Sequence, residues 1–171
     1  MRVMTIIRQA SDRDLPAILA IYNQVIATTT AVYSETPVTL EDRTAWLAEK
    51  TARGFPVLVA VESAVGGEDL LGFATFGDFR AWPCYRQTVE HSVHVRVDAR
   101  GMGLGRLLVT SVVEAARDLG MHMLIAGIDA DNQASLALHY KLGFEDAGTL
   151  REVGRKFDRW LDLAFLQKRL N

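Results

Sequence analysis

Three alternating glycines near the middle of the chain carry the clearest chemical signal. Gly101, Gly103 and Gly105 follow a run with the two-residue period of a strand and precede apolar residues at helical spacing. A helix that starts at glycines offers unpaired backbone N–H donors and the positive end of its dipole. Glycine also lets the phosphate groups of a ligand reach the backbone. The segment therefore predicts a phosphate-binding loop between a strand and a helix.

The spacing of these glycines separates the known kinds of phosphate loop. A nucleotide P-loop requires Gly-Lys-Ser/Thr, whereas Gly105 is followed by Arg106 and a leucine. A dinucleotide fingerprint requires a further glycine where Arg106 stands. The pattern of Arg100–Gly105 is Arg-x-x-Gly-x-Gly, which resembles the acetyl-CoA pyrophosphate loop of the GCN5-related N-acetyltransferases (GNAT). The alternative, a glycine-rich turn before an ordinary amphipathic helix, is disfavoured by the combination of strand, arginine, spaced glycines and helix.

One carboxylate lies on the strand that leads into this loop. Glu90 alternates with Val89 and His91, so its side chain lies on the opposite face of the strand. Partial burial would raise its pKa toward the working pH, which suits the removal of a proton from an amine. The alternative is a strand glutamate on a solvated face or in a structural ion pair. Position alone gives the two interpretations equal weight.

An irregular segment before the Glu90 strand combines arginine with aromatic residues. Arg80, Trp82, Tyr85 and Arg86 lie within seven positions. Arginine and tryptophan on a loop can clamp a carboxylate or phosphinate while they cover an apolar chain. Surface arginines beside a half-buried tryptophan are an equally good interpretation of the same pattern.

The histidines and the single cysteine do not predict a metal site or a nucleophile. His91 and His94 have too few carboxylate neighbours for a metal, so we expect packed histidines and no metal cofactor. Cys84 is the only cysteine, which excludes an internal disulfide, and no activating pattern surrounds it.

The composition limits which classes of protein this chain can belong to. A chain of 171 residues with 49% hydrophobic and 23% charged residues predicts one globular domain over residues 1–171. The net charge of −2 gives no electrostatic footprint for nucleic acid or an anionic membrane, so we expect neither as a partner. No apolar run reaches membrane-spanning length and none opens the sequence, so we expect a cytoplasmic protein.

The elements that must position these residues follow the order β-α-α-β-β-β-α-β-α-β-β. This order predicts an α/β fold with a mixed sheet and helices on both faces. Strands are predicted at 3–8, 57–62, 70–79, 88–97, 123–128, 144–153 and 159–166, with a hairpin across Gly66-Gly67. Helices are predicted at 12–28, 39–54, from the glycine loop to 119, and 132–142.

The GNAT resemblance extends over nearly the whole chain. It includes Phe76-Gly77-Asp78-Phe79-Arg80, Thr88-Val89-Glu90-His91-Ser92-Val93, Leu142-Gly143-Phe144 and the run Val153–Leu163. These segments look like one branch of the family, the phosphinothricin and methionine sulfoximine/sulfone N-acetyltransferases. The resemblance implies the GNAT fold, with a central mixed, mostly antiparallel sheet of about seven strands and helices on both faces.

The resemblance also implies roles for individual residues. Glu90 matches the proposed general base for acetyl transfer from acetyl-CoA to the α-amine of a small amino-acid-like acceptor. The positions that match the acceptor pocket are Arg80, Ala81, Trp82, Glu90, His91 and Ser92. The positions that match acetyl-CoA contacts are Val93, His94, Val95, Arg100, Gly101, Met102, Gly103, Leu104, Gly105, Arg106, Asn132 and Lys141. Asn132 is also a good helix N-cap.

The general acid and the oligomeric state depend on less direct matches. Many members of the family have a tyrosine four residues before the Gly-Phe pair, where this chain has His139 followed by Tyr140. The acid therefore stays open between His139, Tyr140 and water. Similar proteins are homodimers with the site near the subunit interface, so Lys156 and Trp160 are expected to reach a partner's pocket.

Two rival functions keep part of this pattern. One is a GNAT enzyme for another amine, such as a protein N-terminus or a polyamine. A polyamine would favour an acidic pocket, and Arg80 with Arg86 argues weakly against one. The other rival is a non-catalytic acyl-CoA-binding module, which would keep the glycine loop without needing Glu90.

Overall fold

In the described part of the chain, seven strands and four α-helices follow one another in the predicted order. The computed structural model describes residues 4–64 and 67–171. The strands are β1 (Thr5–Gln9), β2 (Val57–Ala64), β3 (Gly67–Asp78), β4 (Thr88–Val95), β5 (Met123–Asp129), β6 (Glu145–Lys156) and β7 (Arg159–Arg169). The helices are α1 (Leu15–Thr28), α2 (Leu40–Ala52), α3 (Leu104–Asp118) and α4 (Gln133–Lys141).

The strands form one sheet in the order β1-β2-β3-β4-β5-β7-β6. Neighbouring strands are antiparallel except for β4 and β5, which are parallel. Parallel neighbours need a crossover connection, and α3 supplies it between these two strands. The prediction of a mixed, mostly antiparallel GNAT sheet is therefore confirmed.

Helices cover both faces of the sheet, as predicted. On one face, Ile18 and Ile21 of α1 pack against Val59 and Phe73. On the other face, apolar residues of α3 and α4 pack against the sheet, with Leu108 and its helical neighbours fully buried. The burial of one stripe of each helix is the physical reason for the three- and four-residue spacing in the sequence.

Side chains of β4 alternate between these two faces. His94 lies on the α1 face, where its ring is 5.5 Å from the ring of Tyr22 and 5.2 Å from that of Phe73. His91 lies on the α4 face, 5.7 Å from the ring of Phe144. Because side chains alternate, Glu90 shares the face of His94. This agrees with the predicted alternation.

Several boundaries differ from the prediction for local reasons. β4 ends at Val95 rather than at residue 97, because Val97–Ala99 form a 3-10 turn that redirects the chain toward α3. The first helix begins at Leu15 rather than at residue 12, because Asp12–Asp14 form another 3-10 turn. β6 is longer than predicted, since its side chains are almost all exposed and give no burial alternation to detect. Val3 and Gly66, which belong to predicted elements, lie outside the described residues.

Candidate active site

The glycine loop places the start of α3 against an open groove. Gly101 and Gly103 have φ of +77° and +82°, a conformation that glycine adopts without strain. A Cβ added at either position would stand in open space. Gly103 is the N-cap of α3, and no side chain caps the first turn or places an acidic group there. The first N–H groups of the helix are therefore available to an anion, as predicted.

Gly105 is required for a different reason. A Cβ at Gly105 would lie 3.2 Å from Cδ2 of Leu138 in α4. The third glycine thus lets the first turn of α3 approach α4 closely. Arg100 and Arg106 flank the loop as exposed cations, and neither forms an ion pair within the described part of the chain. A diphosphate fits this loop, which offers unpaired N–H groups, open space and positive charge.

Strands β4 and β5 diverge beside this loop. Their parallel pairing ends at His91 and Ala126, although β4 continues to Val95 and β5 to Asp129. Beyond that pair, β4 bonds only to β3 and β5 bonds only to β7. A gap of about 100 Å³ separates the two strands where their facing edges have no strand partner. Backbone N–H and C=O groups at these edges can bond a ligand.

The gap opens into a larger groove that reaches the glycine loop. The groove has a volume of about 470 Å³ and is lined by α1, the end of β4, the glycine loop and the start of α4. Val93, His94, Asn132 and Ser135 line both the gap and the groove. The remaining predicted acetyl-CoA positions in the groove wall are Val95, Arg100, Gly101, Gly103, Leu104, Gly105 and Arg106. One continuous channel therefore runs from the start of α3 to the gap.

Two predicted acetyl-CoA residues lie outside this wall, and two more contribute to it in a particular way. Met102 is 60% exposed at the tip of the glycine loop and Lys141 is exposed in the last turn of α4. Neither lines the gap or the groove. The side chain of His94 turns to the α1 face, so its predicted contact is one for its backbone. Asn132 caps α4, because its Oδ1 accepts a hydrogen bond from the Ser135 N–H at 3.1 Å.

Glu90 is half-buried one residue before the point where β4 and β5 separate. Burial raises the pKa of its carboxyl, and the positive charge of Arg80 opposes that rise. Its Oε1 lies above Gly127 of β5, where an added Cβ would approach it to 2.7 Å. Within the described residues the Glu90 carboxylate has no hydrogen-bond or ion-pair partner. The carboxylate can therefore accept a proton from a molecule bound beside it.

The predicted acceptor residues around Glu90 lie on an open surface. The Arg80 guanidinium stacks 4.7 Å from the ring centre of Phe79, and the Phe79 ring packs against Phe165 of β7. Ala81 is exposed, and Trp82 is 74% exposed. Ser92 lines the gap. Arg80, Glu90 and Ser92 thus lie on the same side of the molecule. The Trp82 side chain is largely exposed to solvent.

His91 forms a buried pair with His139 on the opposite face from Glu90. The two Nε2 atoms are 3.1 Å apart and the rings are stacked. Burial lowers the pKa of His91 to about 3, and the neighbouring His139 and His94 lower it further to a smaller extent. His91 is therefore a packed, neutral histidine, as its surroundings in the sequence suggested. Its place in the acceptor pocket stays a prediction.

The prediction that Lys156 reaches a partner's pocket is wrong, and Tyr33 was missed in the sequence. Lys156 is 1% exposed and its Nζ donates to the Val32 carbonyl at 2.8 Å, so it turns inward instead of toward a second subunit. The Tyr33 hydroxyl donates to the Asp162 carbonyl at 3.2 Å. These bonds fasten the loop after α1 to the β6–β7 hairpin across more than a hundred residues, which no local pattern reveals.

The described residues show no group of three or more His, Cys, Asp or Glu side chains that could hold a metal ion. The expected independence from metal stays a prediction. Among the helices of the described ranges, none has both the length and the apolar character to cross a membrane.

Residues 18–144 match the sequence profile of the acetyltransferase (GNAT) family. The matched range contains the glycine loop at the start of α3 and the two strands, β4 and β5, that diverge beside it. The chain belongs to the GNAT family of acetyltransferases.

Individual relatives match over almost the full length of the chain. The L-methionine sulfoximine/L-methionine sulfone acetyltransferase of Pseudomonas aeruginosa is 50% identical over 165 residues, which cover 96% of this chain and 94% of the relative. The crystal structure of ribosomal-protein-alanine N-acetyltransferase from Brucella melitensis has a TM-score of 0.92 at 50% identity and covers 96% of this chain and 99% of that one. A phosphinothricin acetyltransferase from Sinorhizobium meliloti, solved in complex with acetyl-CoA, has a TM-score of 0.92 at 35% identity, covering 98% and 89%.

Proposed function

We propose that this chain transfers an acetyl group from acetyl-CoA to the α-amine of a small amino-acid-like acceptor. The acceptor class is that of methionine sulfoximine, methionine sulfone and phosphinothricin, which the names of the relatives contain. The observation that carries the proposal is the channel from the N-terminus of α3 to the gap between β4 and β5, with the Glu90 carboxylate above Gly127, which lines that gap.

The cofactor part of the proposal rests on backbone groups. The first N–H groups of α3 receive the pyrophosphate of acetyl-CoA, and Arg100 and Arg106 add positive charge beside it. The strand edge at Val93–Val95 holds the pantetheine chain, because β5 has left that edge free. Acetyl-CoA supplies an activated acetyl group as a thioester when it is bound there.

The acceptor part rests on Glu90 and Arg80. Arg80 pairs with the acceptor carboxylate, and Glu90 takes a proton from the α-amine directly or through one water. Burial has raised the pKa of Glu90, which makes it a stronger base than an exposed glutamate. The deprotonated amine then attacks the thioester carbonyl in a ternary complex, without a covalent enzyme intermediate. Backbone N–H groups at the open strand edges stabilise the developing oxyanion.

A homodimer is part of the same proposal. Trp82 is 74% exposed and Trp160 is 59% exposed, and both are aromatic side chains of the kind enriched at interfaces. A second subunit on this side would cover the exposed side chain of Trp82. Sedimentation equilibrium would test this point, since a monomer at micromolar concentration would contradict it. Residues 1–171 form one acetyltransferase domain, and this domain works in the cytoplasm without a metal.

The acceptor class is tested by release of free thiol from acetyl-CoA. The purified protein is mixed with acetyl-CoA and with one acceptor at a time from a panel. The panel contains methionine sulfoximine, methionine sulfone, phosphinothricin, ordinary amino acids, a diamine and a peptide that begins with alanine. Thiol release with the amino-acid analogues supports the proposal.

Other outcomes of that assay favour the rivals. Release with the alanine peptide alone would favour a protein N-terminal acetyltransferase, for which the Brucella melitensis structure is the specific precedent. Release with the diamine alone would favour a polyamine enzyme. Binding of acetyl-CoA without release for any acceptor would favour a non-catalytic acyl-CoA module.

A further inference from the structure

Acetyl transfer requires stabilisation of the sulfur that leaves, and the two side chains expected to protonate it are poorly placed. Tyr140 is 49% exposed and lines neither the gap nor the groove. His139 is 1% exposed, with both ring nitrogens already engaged. Its Nδ1 lies 2.7 Å from the Ser135 carbonyl, and its Nε2 faces His91.

The hydrogen-bond partners of His139 determine which of its ring nitrogens carries the hydrogen. The Ser135 carbonyl can only accept, so Nδ1 of His139 carries the hydrogen. Burial lowers the pKa of His139, and the bond to Ser135 only partly opposes this effect, so the ring is neutral and Nε2 is bare. The Nε2–H of His91 then donates to it, which leaves Nδ1 of His91 as a buried acceptor without a partner among the described residues. His139 has no proton to give toward the gap.

His91 and His139 both line the gap beside Ser135, and of these three residues only Ser135 also lines the groove. Its Oγ is 3.5 Å from Nδ1 of His139, and the residue lines both the gap and the groove. Because Nδ1 of His139 already holds a hydrogen, the Ser135 hydroxyl cannot donate to it. The hydroxyl hydrogen is therefore free to point into the channel. Ser135 also lies in the first turn of α4, where the helix dipole favours negative charge.

We propose that the Ser135 hydroxyl donates a hydrogen bond to the sulfur of coenzyme A as the thioester is cleaved, with the buried His139 as the positioning residue that holds this hydroxyl toward the channel. The inference rests on the proposed acetyl transfer and assigns the group that faces the leaving atom. Glu90 lies above Gly127 on one face of the sheet, and Ser135 lines the gap from the other face. The amine therefore loses its proton on one side while sulfur is stabilised on the other.

The atoms and charges of the step balance without a general acid. The acceptor arrives as an ammonium, and Glu90 or its water receives the first proton and passes it to bulk water. The neutral amine nitrogen then forms a bond to the carbonyl carbon, and the second nitrogen proton leaves the tetrahedral intermediate by the same route. The C–S bond breaks with its electron pair on sulfur. Ser135 keeps its own proton and donates a hydrogen bond to the thiolate, which takes a proton from bulk water after release. A thiol has an ordinary pKa of about 8.5, so the thiolate is a feasible leaving group once it is hydrogen-bonded.

Kinetics with Ser135→Ala provide the first test. The variant should keep its affinity for acetyl-CoA, while kcat falls roughly tenfold to a hundredfold, because a hydrogen bond to a charged group is lost only as sulfur leaves. Ser135→Thr, which keeps the hydroxyl, should recover most of kcat. The matched control is Ser111→Ala, whose hydroxyl donates to the Leu107 carbonyl at 3.0 Å in α3 and lines neither cavity. It should leave kcat unchanged.

Binding of free coenzyme A gives a readout that does not depend on turnover. Calorimetric titration from about pH 7 to about pH 9.5 spans the ordinary thiol pKa. The wild-type protein should bind coenzyme A more tightly as pH rises, because Ser135 and α4 favour the thiolate. This rise should shrink roughly tenfold in Ser135→Ala and stay intact in Ser111→Ala.

The two assays separate failure of this inference from failure of the proposed function. A wild-type protein that binds acetyl-CoA but releases no thiol with any acceptor would refute the proposed transfer. A transferring wild type with an unchanged kcat in Ser135→Ala would refute only the role of Ser135. That role would also be refuted if kcat falls but the pH dependence of coenzyme A binding is unchanged, or if acetyl-CoA affinity is lost as well.

Discussion

The cofactor groove and the acceptor side of the candidate site are built from different parts of the chain. The groove encloses about 470 Å³ and depends on backbone features: the positive φ of Gly101 and Gly103, the first turn of α3 and the separated edges of β4 and β5. Such features are fixed by the fold itself. They suit the part of acetyl-CoA that is the same for every acceptor.

The acceptor side depends instead on side chains with few neighbours. Trp82 is largely exposed, Arg80 is held mainly by the Phe79 ring, and Glu90 has no partner in the described part of the chain. Side chains in this state can be exchanged without disturbing the core. In the proposed function, cofactor binding therefore depends on the scaffold, whereas acceptor choice depends on a small number of replaceable side chains.

Removal of the Glu90 carboxylate should have the largest effect on turnover. It should act on the acceptor side alone and leave acetyl-CoA binding in place. Glu90→Gln keeps the shape of the side chain and removes the base, so kcat should fall by roughly a hundredfold or more. Acetyl-CoA affinity, measured by calorimetry, should stay within about twofold, because the groove is built from backbone groups that this substitution leaves in place. The matched control is Glu62→Gln, another half-buried strand glutamate, which accepts a bond from Thr5 at 2.8 Å. Unchanged turnover in Glu90→Gln would remove Glu90 from the role of base.

Addition of a Cβ at Gly103 should produce the complementary effect, which is weaker binding of acetyl-CoA in the groove. Gly103→Ala forces an alanine to φ of +82° and fills space where phosphate approaches the backbone. Acetyl-CoA should bind roughly tenfold more weakly, with a loss of stability of about 1 kcal/mol from the strained conformation. Gly54→Ala is the control, because Gly54 has φ of +71° and the same open surroundings at the end of α2. It should lose similar stability on thermal unfolding without weaker acetyl-CoA binding.

The strand, loop and helix that border the groove were predictable from the sequence because their signal is local. A strand, three alternating glycines and an amphipathic helix lie within one continuous stretch, and the structure keeps them in that relation. The element order and the side-chain alternation of β4 were predictable for the same reason. The point where β4 and β5 separate was not, because it depends on register between strands joined through α3.

The rest of the site depends on contacts between distant parts of the chain. The His91–His139 pair joins residues 48 positions apart, and the Lys156–Val32 bond joins residues 124 positions apart. Lys156 was expected to reach a partner's pocket, yet two register shifts in β6 precede it and its side chain ends inside the protein. Alternation fails as a guide wherever an edge strand changes register.

The effect of the Arg80 charge on the pKa of Glu90 should be the smallest of these effects, and it is separate from the weaker acceptor binding that loss of Arg80 should cause. Its sign distinguishes a pocket residue that faces Glu90 from an ordinary surface arginine. Burial raises the pKa of Glu90 and the positive charge of Arg80 lowers it. A base must be deprotonated, so kcat/KM should fall as pH decreases through this raised pKa. Arg80→Met removes the opposing charge, which should move the acid limb to higher pH by a few tenths, since exposed charges interact weakly through solvent. Arg86→Met, in the same exposed segment, should leave the limb in place. A limb that stays fixed or moves to lower pH in Arg80→Met would place Arg80 outside the electrostatic reach of Glu90 and weaken the link between these two residues of the acceptor side.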